Sequence, residues 1–197
     1  EFLTAQDSLA RSNTVQVDTF GLAGGKLEHG LMGHSLLVTA LAASPDGQYL
    51  ASATDITPAG GQIYLWKLDP YSLWQRWQIN AKVDAPVTIL AWSPDSRYLA
   101  AGGADDLLKL FRVKDGWELK YLAVNGAATA AIFSPDGSLL VAGDARGTIT
   151  LWSVPDGKVA AELQGHSGAI RGLAFSPDGQ TLASAAEDGT VRLWGIP

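Results

Sequence analysis

The chain contains no cysteine, so neither a disulfide frame nor a thiolate site can be built from it. Histidine is nearly as scarce, at three residues, and without cysteine beside it no zinc-ligand spacing exists. No metal and no cofactor are expected. Basic residues are outnumbered, 14 Lys and Arg against 20 Asp and Glu, for a net charge of -6. That balance lacks the basic face that duplex binding requires, so no nucleic-acid partner is expected. No apolar run approaches the ~18 residues of a membrane-spanning helix, so no membrane insertion is expected. Helical periodicity of useful length is missing as well. The first residue is Glu1, and no leader pattern follows it. The natural N-terminus, with any targeting signal, is therefore expected upstream, and the location expected is cytoplasmic.

What is present is repetition. The word "SPDG" stands at Ser44–Gly47, Ser134–Gly137 and Ser176–Gly179, with a near copy, "SPDS", at Ser93–Ser96. The serines at 44, 93, 134 and 176 are separated by 49, 41 and 42 residues. A second word keeps the same beat: Leu65–Trp66, Leu110–Phe111, Leu151–Trp152 and Leu193–Trp194. A third, "GH", occurs at Gly33–His34 and Gly165–His166. Between these words lie short apolar runs such as "AIRGLAFS", "QTLASAA" and "TVRLW", bounded by Gly, Asp or Pro. Such runs read as strands. With "KVAAELQ" and "WELKYLAV" as outer members, each repeat holds four, the pattern of a propeller blade.

The turn word has a mechanism. Proline presets φ at the second position, the Ser and Asp side chains bond the local backbone, and Gly closes the turn without steric cost. A metal reading of Asp46, Asp95, Asp136 and Asp178 is weaker, because each carboxylate is alone in its turn. Small residues identify the innermost strand: "TALAAS", "TAAIFS" and "RGLAFS" are slim where blades converge. Trp66, Phe111, Trp152 and Trp194 come two strands later, where blades splay and volume must be filled.

Together these words resemble the WD-repeat β-propeller family. The last repeat, "GHSGAIRGLAFSPDGQTLASAAEDGTVRLW", carries the likeness best. The resemblance implies an all-β propeller of four-stranded antiparallel blades. It also implies a structural hydrogen-bond tetrad of His166, Ser184, Asp188 and Trp194. In the first full repeat the matching residues are His34, Ser52 and Trp66, with Asp55 as the fourth member. The second repeat keeps Asp105 but has Val83, Ala101 and Phe111. The third keeps Trp152 and replaces the rest by Val124, Ala142 and Arg146. One propeller region is expected over 1–197, with a partial blade at 1–32 and repeats at 33–82, 83–123, 124–164 and 165–197. That amounts to an incomplete arc of a larger ring of about seven blades. Missing blades or a second arc would complete it.

Other candidates have plainer readings. Ser184, His166 and Asp188 are the residue types of a catalytic triad, but a tetrad ending on an indole is a buried ordering network, so no enzyme is expected. "GLAGGK", residues 21–26, lacks phosphate-loop spacing and reads as a hairpin loop. Asp105–Asp106 reads as a tetrad carboxylate beside a solvated one. Trp74 and Trp77 read as packing of an outer strand, with a partner patch as the alternative.

The family resemblance implies that partners dock on the face built by loops entering the first strand. The matching positions are Leu37 and Thr39, Pro86 and Thr88, Ala127 and Thr129, and Ala169 and Arg171, with Glu187 beside them. The insertion "TDITPAGGQ", residues 54–62, would stand next to that rim. The expectation is a protein–protein interaction scaffold presenting this face to a peptide or protein loop. The alternatives are a C-terminal sensor propeller of a larger bacterial signalling protein and a periplasmic propeller of the translocation type.

Overall fold

The computed structural model describes residues 2–6, 15–20, 27–34, 37–55, 61–68, 76–83, 86–104 and 106–196; for 2–6, 15–20, 27–30, 32–34, 61 and 76–83 it describes the backbone alone. Eighteen strands are found among them and no helix. They are β1 (Phe2–Gln6), β2 (Val15–Phe20), β3 (Leu27–His34), β4 (Val38–Ala43), β5 (Tyr49–Thr54), β6 (Gly61–Lys67), β7 (Arg76–Val83), β8 (Val87–Trp92) and β9 (Tyr98–Gly103). The second half continues with β10 (Leu107–Arg112), β11 (Trp117–Ala123), β12 (Ala128–Phe133), β13 (Leu139–Asp144), β14 (Ile149–Ser153), β15 (Val159–Leu163), β16 (Ile170–Phe175), β17 (Thr181–Ala186) and β18 (Val191–Gly195). Each strand pairs antiparallel with its sequence neighbour to give five sheets: β1–β3, β4–β7, β8–β11, β12–β15 and β16–β18. The all-β architecture of four-stranded antiparallel blades expected from the repeat is what the chain adopts.

The first strands lie side by side, β4 against β8, β8 against β12 and β12 against β16. This places the Ala- and Gly-rich strands innermost. The second strands β5, β9 and β13 are buried along nearly their whole length.

The apolar core is a series of seams between sheets. Successive side chains of a strand point to opposite faces, so the Leu-aromatic word serves two seams at once. Phe111 packs toward Ala51, Ile63 and Leu65 of the preceding sheet. Its neighbour Leu110 packs toward Phe133, Leu140 and Trp152 of the following one. Likewise Leu151 joins Ile170 and Leu182 of the fifth sheet, while Trp152 joins Leu108 and Leu110 of the third. In the first seam Leu31 packs with Leu50, Tyr64 and Trp66. The fifth sheet breaks the pattern. Val191 and Leu193 are 70% and 72% exposed, whereas Ile149 and Leu151, their counterparts, are 0% and 2% exposed. Among the described residues no sheet covers that outer face.

The turn word is an interlocked hydrogen-bond unit. In the first copy the Ser44 hydroxyl donates to Asp46 Oδ1 at 2.6 Å and accepts the Tyr49 N–H at 2.9 Å. Asp46 Oδ1 also accepts the Gln48 N–H at 2.9 Å. The same three bonds recur around Asp95, Asp136 and Asp178. Each carboxylate is thus engaged inside its own turn. Gly47, Gly137 and Gly179 take φ of 69°, 73° and 72°, the left-handed region where glycine is free of strain. Ser96 takes φ 59° at the same place and uses its side chain across a seam: its Oγ accepts the Asp46 N–H at 3.1 Å.

Burial predicts unequal costs for one substitution at two equivalent sites. Leu151→Ala should lower stability by about 2–5 kcal/mol, as for other buried leucines. Leu193→Ala should change it by less than about 0.5 kcal/mol, as for exposed positions. Denaturant midpoints of the two variants, measured side by side, check this.

Candidate partner-binding rim

The rim begins with a backbone irregularity that recurs in every sheet with a described inner strand. The register shifts between Val38 and Ala40, Val87 and Ile89, Ala128 and Ala130, and Ile170 and Gly172. The extra residue of each β-bulge is Thr39, Thr88, Thr129 or Arg171. A bulge re-aims the side chain it carries, so one turn of geometry puts all four at the same end of their sheets. Thr88 and Arg171 are exposed, and Thr39 and Thr129 are half-buried. The two half-buried hydroxyls are committed: Thr39 donates to the Val87 carbonyl of the next sheet at 2.5 Å, and Thr129 to the Gly143 carbonyl at 3.1 Å.

The residues two places earlier are less uniform. Leu37 is 55% exposed, Pro86 and Ala127 are half-buried, and Ala169 is only 7% exposed. Arg171 and Glu187 form an exposed ion pair, with Arg171 Nε donating to Glu187 Oε1 at 3.0 Å and Nη2 to the same oxygen. Their side chains remain 61% and 53% exposed. An ion pair that wet contributes about 0–1 kcal/mol to stability.

Beneath the rim, the structure brings His166, Ser184, Asp188 and Trp194 together. Trp194 Nε1–H donates to Ser184 Oγ at 2.9 Å. The Ser184 hydroxyl donates to His166 Nε2 at 2.8 Å, and His166 Nδ1–H donates to Asp188 Oδ2 at 2.9 Å. This direction follows from the acceptor-only carboxylate, which places the imidazole proton on Nδ1. Asp188 is further held by the Thr190 hydroxyl at 2.7 Å, the Thr190 N–H at 2.9 Å and the Ser167 N–H at 3.0 Å. These donors, the Thr190 hydroxyl foremost, keep the Asp188 carboxyl far below the usual carboxylate range, against the opposing effect of burial. Ser184 is 1% exposed, and its hydroxyl is engaged on both sides, donating to His166 and accepting from the indole. A serine so enclosed offers no nucleophile to a substrate, although the Ser–His–Asp connectivity matches a hydrolase.

The other repeats solve the same problem differently. Trp66 Nε1 donates to Ser52 Oγ at 2.7 Å; the His34 side chain lies outside the described residues. Asp55 donates its N–H to the Leu37 carbonyl at 3.2 Å, the bond that Glu187 makes to Ala169 at 2.9 Å. Asp55 therefore stands in register with Glu187, one residue before the place of Asp188. In the third sheet Ala101 and Phe111 are packed in an apolar cluster, and Asp105 lies outside the described residues. In the fourth, Arg146 turns to Asn125 Oδ1 at 2.9 Å. Its turn is held instead by Asp144, whose Oδ1 accepts the Arg146 and Thr148 N–H groups at 2.8 and 2.9 Å. Asp144 is 1% exposed, and among the described residues its Oδ2 has no hydrogen-bond partner. The pattern "GDARG" carried that signal, because an Asp two and four residues before backbone donors is a local cap. Residues 21–26, most of the insertion at 54–62, Trp74 and the Trp77 side chain also lie outside the described residues. Exposed Trp117 and Tyr121, at 66% and 60%, mark the outer strand β11 instead.

Two protein families match this chain. The WD domain, G-beta repeat family matches residues 25–67, 120–153 and 157–195, more than half of the chain. The chain belongs to the WD-repeat family. The anaphase-promoting complex subunit 4 WD40 domain family matches residues 56–132. Among curated relatives, striatin-3 of Rattus norvegicus is 37% identical over 90 residues, covering 44% of this chain and 11% of that protein. Striatin of Homo sapiens is 34% identical over 88 residues, covering 44% and 11%. The WD repeat-containing protein 26 homolog of Drosophila melanogaster is 32% identical over 77 residues, covering 37% and 12%. The match thus spans about a tenth of the length of these WD-repeat relatives. Among the described residues no helix is long and apolar enough to cross a membrane, and no three His, Cys, Asp or Glu gather around a common point.

Two outcomes follow. The lowered pKa of Asp188 means that the unfolded carboxyl, near the ordinary pKa of about 3.9, takes up its proton first as pH falls. The network's contribution should be full above about pH 5 and fade as pH falls below about 4. Denaturant midpoints against pH should show that slope, and Asp188→Asn should flatten it. Separately, a Cβ at Gly103 would lie 1.9 Å from the Pro86 carbonyl oxygen. Gly103→Ala should cost about 1–3 kcal/mol or more and shift the amide resonances of Thr88 at the rim.

Proposed function

We propose that this chain is part of a protein–protein interaction scaffold, and that the rim at the start of the inner strands receives a peptide or protein loop. The observation that carries the reading is the bulge repeated in four sheets, which delivers Thr39, Thr88, Thr129 and Arg171 to one end of the fold. The Arg171–Glu187 pair adds little to stability for its position, so its value lies in what it offers a partner. Charged side chains at a rim select partners and set orientation more than they hold the complex together. Leu37 and Pro86 supply apolar contact beside them. The WD-repeat relatives point the same way at the level of the family. Rigidity under the rim supports this reading, because contact groups mounted on ordered strands lose little freedom when a partner binds.

The test is a triple charge change, Arg171→Glu, Glu187→Arg and Thr88→Glu, in the longest natural form of the protein. Partners captured by the parent are quantified against the variant, with circular dichroism confirming an unchanged fold. Affinity for rim-bound partners should fall by at least about tenfold, equivalent to roughly 1.4 kcal/mol. Retention of every partner at full strength would remove the rim from consideration.

A further inference from the structure

The turn words form the end of the fold opposite the rim, and they do not pack equally. Between the second and third sheets, Ser96 bridges the seam by accepting the Asp46 N–H. Between the fourth and fifth sheets the equivalent residue is Gly179, which has no side chain to bridge with. The nearest atom to a Cβ placed there would be Pro135 Cδ at 3.6 Å. A cleft of about 450 Å³ opens at this seam. Asp136 stands on the fourth sheet's side and Asp178 on the fifth's; Pro135, Leu139, Pro177 and Ile196 supply its apolar lining.

The charge of this cleft is unbalanced. Among the described residues neither Asp136 nor Asp178 has a cation within 4 Å, whereas Asp95 in the third sheet has Arg97 Nε at 4.0 Å from its Oδ2. Hydrogen bonds from the Ser134 and Ser176 hydroxyls hold both carboxyls below their ordinary range, so both are ionised at neutral pH. Asp178 uses only Oδ1 within its turn. Among the described residues no Lys, Arg or His lines the cleft.

The geometry points to a second docking site here, in which the cleft takes an arginine side chain from a basic segment of a protein partner. Asp136 and Asp178 would receive the guanidinium, and Pro135, Leu139, Pro177 and Ile196 would receive its methylene stem. Arginine fits both halves of the site. Its planar fork of five N–H donors can serve two carboxylates, and it sheds water more readily than an ammonium. Its stem gains from apolar contact while the head stays polar. The site lies at the other end of the strands from the rim, so the two proposals stand or fall separately.

The test titrates the isotope-labelled protein with the peptide acetyl-Gly-Gly-Arg-Gly-Gly-amide and follows amide resonances. Saturable shifts centred on Gly179, Gln180 and Ile196 are expected. Asp136→Asn with Asp178→Asn should weaken binding at least tenfold, since asparagine keeps the turn's acceptor oxygen but removes the charge. Asp46→Asn with Asp95→Asn removes the same charge from the sister turns and should change binding less than twofold. Gly179→Ser, which places at this seam the residue found at Ser96, should close the cleft and weaken binding with no charge removed. It also keeps the test open if the double Asn variant fails to fold. The lysine peptide should bind at least threefold more weakly, and a glutamate peptide not at all. Absent or non-saturating shifts, equal loss in the sister-turn variant, or equal binding by lysine would each overturn the assignment.

Discussion

Adjacent residues of a strand face opposite ways, and in this chain both faces of the inner sheets are apolar. A sheet of that kind is stable only between two others. Leu110 and Phe111 show the consequence in two letters, one closing the seam ahead and the other the seam behind. Everything else depends on this constraint. It sets the order of the sheets, brings the slim first strands together along one side, and leaves the outer strands and the loops at both ends for contact with other molecules. It also explains why Leu193 is exposed while its counterpart Leu151 is buried. The residue type is unchanged, and among the described residues only the presence of a following sheet differs.

Polar networks then order what apolar packing has stacked. The turn words tie each inner strand to the next by three local bonds, and the tetrad of the fifth sheet ties a loop to the core through an indole. The network is dispensable in parts. The third sheet replaces it by apolar contact around Phe111. The fourth moves the carboxylate inward to Asp144 and, among the described residues, leaves one oxygen unpartnered, at a cost of about 1–3 kcal/mol. Sheets held firmly by their neighbours can carry such a cost. Among the described residues the fifth has a bare outer face, and its His–Ser–Asp–Trp chain is formed throughout.

Much of the fold was legible because repetition is visible without coordinates. The turn serines and Leu-aromatic pairs marked the period, and the physics of turns and strands gave the four-stranded antiparallel blades. The rim was legible in part. The family resemblance implied Thr39, Thr88, Thr129 and Arg171, but gave no reason for their projection. The reason is the bulge, a shift of backbone register that side-chain identity does not encode. Nor could the resemblance show that Ala169 is nearly buried while Leu37 is exposed, since both occupy the same step of the repeat. The cleft at Gly179 was hidden for a similar reason. A glycine in a turn word reads as a conformational requirement, and only the neighbouring turn reveals the space it leaves.

The sequence by itself determined the local structure: where strands run, where they turn, which face each side chain takes, and the seam-building alternation of every blade. These follow from interactions among residues close along the chain, and four repetitions make them unambiguous. Tertiary structure alone decided which of several equivalent residues are covered, joined or left free. It paired Arg171 with Glu187, carried Ser96 across a seam to Asp46, gave Asp144 the work of a missing tetrad carboxylate, and left Asp136 and Asp178 facing an open cleft. Burial and charge pairing depend on groups that approach through space from other blades, and no pattern along one blade records their arrival.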